Sequence, residues 1–393
     1  MAVHHDVGHA RILFFNDPIE GSSYPVTETG YAMLYRAWGR ALAGGGEVFL
    51  AAADPRLQTA GQASVLAQRV RHFHASPYDH YRSQRQHYDP ERDRGAVPCH
   101  EPGPQKRVEL NTFDVIVWRR EQGPREALLQ ALATIEDEVL VYLSPRLALD
   151  PAFGSKQLPA RLAPDAVPLS FDTSSMVGSR AKLDASLRFL AETLGQPPLA
   201  IAKPRVGDNG VGITAVTRDE PASTLTDLLA RFGDLVVQEY LPSVRRPADL
   251  SEEALAELSP DVGGFGEVRF LLIDGDVPRD TAGEPFLMAR RVPTDSSLLA
   301  DSGISYPTRL SKAELDFVQR VGQAYRSLGI HFGGGDLIRT LDPSRPFVFT
   351  DAARSVCGHA VVTGALNGEP YGIVDRVLDS MSRQLTPSRL AIA

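Results

Sequence analysis

Cysteine is almost absent from this chain. Its two cysteines, Cys99 and Cys357, stand far apart in sequence, which argues against a disulfide-stapled scaffold and leads us to expect two free thiols in a reducing cytoplasm. Long apolar runs are missing as well. Hydrophobic residues make up 43% of the 393, yet no run reaches the length that a membrane-spanning helix requires. The N-terminus lacks a basic segment followed by an apolar core, so no targeting signal is expected. Positive charge is not in excess either. Lys and Arg number 41 against 49 Asp and Glu, a net charge of -8, which argues against general polyanion binding and against nucleic acid but leaves room for a local phosphate site. A chain of this length divides into two or three subdomains.

What is present is best read outward from IAKPRVGDNGVGIT at Ile201 to Thr214. The run Leu199 to Ala202 predicts a short strand with Lys203 at its end. Gly207, Gly210 and Gly212 then allow the backbone to approach an anion closely. The same stretch also reads as a strand followed by a glycine-containing hairpin turn, and it has neither P-loop nor dinucleotide-fold spacing. Later segments carry more weight. LVVQEYL at Leu235 to Leu241 predicts an apolar strand whose end offers backbone groups to a flat base, with Tyr240 and Leu241 packing beside it. GEVRFLLID at Gly266 to Asp274 places Glu267 and Arg269 on one face of a strand. GGGDLI (Gly333 to Ile338) and FVFTDAAR (Phe347 to Arg354) predict adjacent strands bearing Asp336 and Asp351, a plausible pair for a hard cation that also takes phosphate oxygens.

The N-terminal part opens as a βαβ unit: a strand at Arg11 to Phe15, an amphipathic helix at Tyr31 to Ala43 and a strand at Glu47 to Ala51. From His72 to Arg107 the sequence is polar, rich in His, Arg and Pro, and without periodicity. It reads as a long surface loop near an acceptor pocket, since His72, His74, His80, His87, Cys99 and His100 match no zinc spacing. A strand at Val115 to Trp118, a helix at Arg125 to Glu136 and a strand at Val139 to Leu143 follow. Arg119 and Arg120 either face a ligand crevice at the strand end or pair with Glu121 or Glu126 on the surface. Ser175 to Leu194 predicts a helix with Lys182 on its wet face. Arg245 to Gly264 predicts an inserted amphipathic helix capped by Ser251, a surface decoration or an oligomer contact.

In order and register these pieces resemble the ATP-grasp superfamily, and more narrowly its prokaryotic glutathione synthetase branch. The resemblance is carried by NDPI at Asn16 to Ile19, TGYAML at Thr29 to Leu34, FDVIVWRR at Phe113 to Arg120 and YLSPRLALDPAFGSKQL at Tyr142 to Leu158. It continues through IAKPRVGDNGVG, VVQEYLPSV, GEVRFLLIDGDVP, LMARRVP at Leu287 to Pro293, and the strands of Asp336 and Asp351. It implies an α/β (α+β) ATP-grasp fold. Its parts would be a Rossmann-like preATP-grasp substrate domain over residues 1–150, a lid over 151–236 and an antiparallel core with the metal site over 237–393.

It also implies roles for particular residues. Lys156 and Lys203 would neutralise the α- and β-phosphates under the Gly207–Gly210–Gly212 loop, and Gln238, Glu239 and Leu241 would hold the base. Glu267 would bind the ribose hydroxyls, Arg269 with Arg290 or Arg291 would reach the reacting phosphate, and Asp336 and Asp351 would hold Mg2+. The implied reaction condenses a small amino-acid-like carboxylate with an amine at the expense of ATP, through an acylphosphate, releasing ADP and phosphate.

Three departures from the family pattern matter. RREQG stands at Arg119 to Gly123 where the family has RKDPP. DSSLLADSG stands at Asp295 to Gly303 where it has RxNxxxGG, and Ala353 where it has the asparagine of ExN. The missing amide oxygens motivate a second reading, an inactive ATP-binding relative serving as a regulatory or scaffold partner.

Overall fold

The computed structural model describes residues 6–16, 26–51, 64–73, 104–119, 125–142, 144–150, 156–194, 200–206, 212–217, 219–241, 267–279, 283, 289–291, 305–307, 310–340, 342–353 and 372–385. Most of the His-rich run, the insertion 245–264 and both cysteines lie outside them.

The N-terminal layer contains Arg11–Asn16 (β1), Val26–Gly44 (α1), Glu47–Ala51 (β2), Ser64–Arg69 (β3), Gln105–Glu109 (β4), Val115–Arg119 (β5), Arg125–Ile135 (α2) and Leu140–Tyr142 (β6). They form a six-stranded sheet of order β4-β3-β2-β1-β5-β6. β1 pairs in parallel with β2 and β5, and β5 with β6. Parallel strands covered on both faces read as continuous apolar runs, and Ile12, Leu13, Phe14 and Phe15 are all buried. The expected βαβ opening is therefore present. β3 and β4 extend it antiparallel. β4 corrects the loop expected through Arg107: its QKR residues are exposed yet pair in register with β3 at the sheet edge.

Next come Pro145–Leu149 (α3), Leu158–Leu162 (α4), Ser170–Asp172 (β7), Ser179–Arg188 (α5), Ala200–Pro204 (β8), Thr214–Val216 (β9), Pro221–Phe232 (α6) and Leu235–Glu239 (β10). The sheet order is β7-β10-β8-β9, with α5 and α6 covering one face through Leu183, Leu187, Leu225, Leu228 and Leu229. The helix expected from Ser175 begins four residues later, because Thr173–Ser175 closes a 3-10 turn and Gly178 takes φ +88. Lys182 is not on a wet face: its ammonium donates to the Asp234 carboxylate at 2.6 Å and the Gly233 carbonyl at 3.0 Å.

The last group is Glu267–Ile273 (β11), Ala289–Arg291 (β12), Ser305–Pro307 (β13), Lys312–Ser327 (α7), Phe332–Arg339 (β14), Phe347–Ala353 (β15) and Ile373–Gln384 (α8). The five strands form an antiparallel sheet of order β13-β12-β11-β14-β15. Gly334 lets β14 approach β11 closely: a Cβ there would lie 2.1 Å from the Phe270 carbonyl oxygen. α7 packs Phe317, Val318, Val321 and Tyr325 against Val268, Phe270, Leu337 and Phe349, and Leu158 of α4 joins that core.

α8 packs elsewhere. Its Val374, Val377, Leu378 and Met381 share a core with Met33, Ala37 and Ala41 of α1, and burying each of the Val, Leu and Met side chains contributes about 1.5–3 kcal/mol. Arg36 and Arg40 of α1 pair with Asp375 at its rim. A second polar tie lies at Asp274, held at φ +51, whose carboxylate accepts from His331 Nδ1, Ser380 and Arg383. Burial alone would raise the Asp274 carboxyl, but the three donors and the Arg383 charge hold it far below the ordinary carboxylate range. No described helix is long and apolar enough to cross a membrane.

Candidate functional site

The site is built on the β14–β15 hairpin. Asp336 and Asp351 are direct cross-strand partners there. The next aligned pair is Leu337 with Phe349, so Thr350 is an extra residue on β15, a bulge beside the two acids. On the other side of β14, Arg269 of β11 lies opposite Asp336. Its guanidinium grips the carboxylate with two bonds, Nε to Oδ1 at 2.7 Å and Nη2 to Oδ2 at 2.8 Å. This fork geometry is the strong form of an ion pair, and the Asp336 side chain is only 9% exposed.

Two lysines reach the same hairpin from outside the sheet. Lys156, just before α4, donates its ammonium to Asp351 Oδ2 at 2.5 Å. Lys203 of β8 is buried and donates to the carbonyl of the bulged Thr350 at 3.2 Å. Lys156 N–H also donates to the carbonyl of Arg205, two residues beyond Lys203, at 3.0 Å. Lys203 lies inside β8, opposite Val236 of β10, with Pro204 ending the strand. The expected position at the strand end is thus one residue short. Three cations and two carboxylates meet here, leaving one excess positive charge among these five groups, which suits a phosphate.

Among the remaining candidates, Gln238 is buried in β10 between Ser170 and Ile201, and Leu241 is half-buried just past the strand. Glu239 ends β10, and its carboxylate is taken by Arg345 and by the Leu169 amide. What β10 has left for a base is therefore backbone near its end, not that carboxylate. Gly212 takes φ +77 where a Cβ would strike the Phe232 ring at 2.6 Å and Pro204 at 2.7 Å. Gly207 and Gly210 lie outside the described residues. Glu267 and Arg290 are placed by backbone alone: Glu267 pairs with Arg291 and Val268 with Arg290 across β11 and β12. Arg119 closes β5 beside Asn16, and Arg120 is outside the described residues.

Among the described residues no group of three or more His, Cys, Asp or Glu is placed to hold a metal. The two acids nevertheless fit magnesium in one respect, since that ion commonly takes one or two carboxylates and completes its shell with water and substrate phosphate.

Arg345 was not legible as a site neighbour. It sits in the turn Asp342-Pro-Ser-Arg-Pro, where turn chemistry explains every residue but the arginine, and an arginine in a turn is ordinarily solvated.

No family model matches the sequence. The chain is 27% identical over 243 residues to the glutathione synthetase of Agrobacterium fabrum, a match that spans 59% of this chain and 63% of that relative. Among solved structures it is similar to the D-Ala:D-Ser ligase of Enterococcus faecalis, with a TM-score of 0.53 and 15% identity over 96% of this chain and 100% of the other. It is also similar to a RiPP-associated ATP-grasp ligase of Chryseobacterium gregarium, solved with ADP and a leader and core peptide. The TM-score there is 0.50 and the identity 12%, over 96% of this chain and 98% of the other. At these identities the likeness is one of fold.

Proposed function

We propose that this chain, which has the ATP-grasp fold, is an ATP-dependent carboxylate–amine ligase that forms an amide or peptide bond between small amino-acid-like substrates. One observation carries the reading: Arg269, Lys156 and Lys203, from three separate segments, converge on the adjacent strands of Asp336 and Asp351. Cations held around fixed acceptors, Lys203 buried and the other two largely shielded, are pre-organised for developing negative charge.

In this reading residues 1–150 hold substrate, 151–236 form the lid and 237–393 the core. Lys156 and Lys203 exchange their present acceptors for nucleotide phosphates, and the Gly207–Gly210–Gly212 loop covers them. Glu267 takes the ribose hydroxyls, and the backbone of Gln238–Leu241 takes the base. Asp336 and Asp351 would hold magnesium, which when bound neutralises phosphate oxygens.

The substrate carboxylate attacks the γ-phosphorus and the bond to ADP breaks, giving an acylphosphate. The amine then attacks the acyl carbon, inorganic phosphate leaves and the nitrogen loses a proton. Arg269 and Arg290 bear the charge on the transferred phosphoryl group. No covalent protein nucleophile is needed; the protein contributes positioning and the exclusion of water.

A screen of acid–amine pairs with ATP is expected to yield ADP and phosphate. Appearance of AMP and pyrophosphate would refute the reaction order. Calorimetry with an ATP analogue and magnesium is expected to show binding that Lys203→Ala weakens by about a hundredfold, the loss of one charge-assisted contact to phosphate from a buried ammonium. A second reading is favoured by the full pairing of both acids and by Ala353 at the usual asparagine position: an ATP-binding protein without ligation. Nucleotide binding with no product from any pair would select it.

A further inference from the structure

The chain enters and leaves the four-stranded sheet at the same end. β7 begins at Ser170 and β10 ends at Glu239, and the two strands lie side by side with Gln238 opposite Ser170. The chain entering the sheet at Leu169 therefore adjoins the chain leaving it at Glu239. They are tied to each other: Glu239 N–H donates to the Leu169 carbonyl at 2.8 Å, and Leu169 N–H donates to Glu239 Oε1 at 2.7 Å.

The same carboxylate is gripped from a different sheet. Arg345 donates to it through Nη1 at 2.6 Å and Nη2 at 3.2 Å. Glu239 is well shielded, its side chain 12% exposed, while Arg345 reaches in from the surface at 37%. Arg345 belongs to the turn that joins β14 to β15, the hairpin of Asp336 and Asp351. That turn is itself braced. Thr340 N–H donates to the Pro346 carbonyl at 3.0 Å and Arg345 N–H to the Asp342 carbonyl at 3.1 Å. The Thr340 hydroxyl donates to the Arg345 carbonyl and accepts from Asp342 N–H. The Asp342 carboxylate accepts from the Ser344 backbone and hydroxyl and, at 3.5 Å, from Arg345 Nε.

One guanidinium thus spans from the acid-bearing hairpin to both crossings of the four-stranded sheet. We propose that Arg345 is a positioning residue, which through Glu239 fixes the backbone of Gln238–Leu241 relative to the hairpin of Asp336 and Asp351. This rests on the reading of the chain as a nucleotide-using ligase. A nucleotide that places its base at the end of β10 and its phosphates at the acids needs that separation set beforehand. If it is not, part of the binding free energy goes into ordering the strand end. Arg345 touches neither end of the nucleotide in this scheme, so its effect falls on affinity and on local backbone opening.

The test uses the full chain, with magnesium and adenylyl imidodiphosphate as the probe. Without nucleotide, Arg345→Ala is expected to speed hydrogen exchange at the Leu169 and Glu239 amides by about tenfold, through local opening. Dissociation constants for the probe should rise about five- to tenfold, and Arg345→Lys should recover part of both effects, keeping the charge but not the fork. Unchanged exchange at both amides overturns the proposal. So does a uniform rise in exchange over the whole chain, which would give Arg345 a merely structural role. Faster local exchange in a chain whose wild type binds no probe overturns the ligase reading alone and still supports the tie between strand end and hairpin.

Discussion

Asp336→Asn is expected to lower turnover by about a hundred- to a thousandfold while leaving the fold intact, the scale seen when one electrostatic partner of a developing charge is removed. The carboxylate accepts both bonds of the Arg269 fork and is the cross-strand partner of Asp351. An amide keeps the shape but accepts through one oxygen only, so one of the two Arg269 bonds is lost and a nearly buried guanidinium is left short of charge. In the proposed reaction the same oxygens also help to hold the ion on the transferred phosphate. Asp351→Asn removes the partner of Lys156 and is expected to act in the same direction. Both variants should still bind the ATP analogue, because Lys156 and Lys203 keep their charge and the end of β10 is unchanged. The measurement is ADP release against magnesium concentration for the substrate pair found by screening. Unchanged curves for both variants would mean that the ion is held on other strands.

The parts of this site that were legible in the sequence are those whose signal is local. Asp336 and Asp351 stand in apolar strands separated by a Pro-containing turn, and a hairpin is the economical way to join two such strands. Arg269 stands in an alternating strand, and the structure sets it opposite Asp336. What no spacing reveals is which cation meets which acid. Lys156 stands 195 positions from Asp351, and Lys203 147 from Thr350. Only the fold, or a resemblance that stands in for it, brings them together.

β4 was hidden for another reason. A strand at a sheet edge with exposed Gln105, Lys106 and Arg107 has no buried face to impose alternation. α8 was not read from the sequence, although Ile373, Val374, Val377, Leu378 and Met381 stand at helical spacing and are all buried. The pattern announces a helix but not its partner, and Arg36 meets Asp375 across 339 positions.

The pair that anchors the acid-bearing strand can be tested without any substrate. Arg339 closes β14, three residues beyond Asp336, and its Nε and Nη2 donate to Glu314 of α7 at 2.5 and 2.8 Å. Glu314 is nearly fully buried, and it also completes the capping box of α7 by accepting from Ser311 N–H at 2.8 Å. Glu314→Ala is expected to destabilise the protein by about 3–5 kcal/mol, because it leaves a buried guanidinium without its counter-charge and strips the helix of half its cap. Replacing both partners, Glu314→Leu with Arg339→Met, should restore much of that loss, since two apolar groups of similar volume leave no unpaired charge.

The effect carries a pH signature. Burial by itself would raise the Glu314 carboxyl, but the hydrogen bonds and charge of Arg339, together with Ser311, outweigh that and hold it below the usual range. A carboxyl whose folded value lies below its unfolded value binds fewer protons when folded. Its stabilisation is therefore complete above the unfolded value and fades as pH falls through the folded one. The gap between wild type and Glu314→Ala, read from urea denaturation, should accordingly be constant at neutral pH and narrow once the pH drops below about 4, the region of an unperturbed glutamate. A gap that stayed constant into strong acid would show that Glu314 stabilises β14 by packing alone.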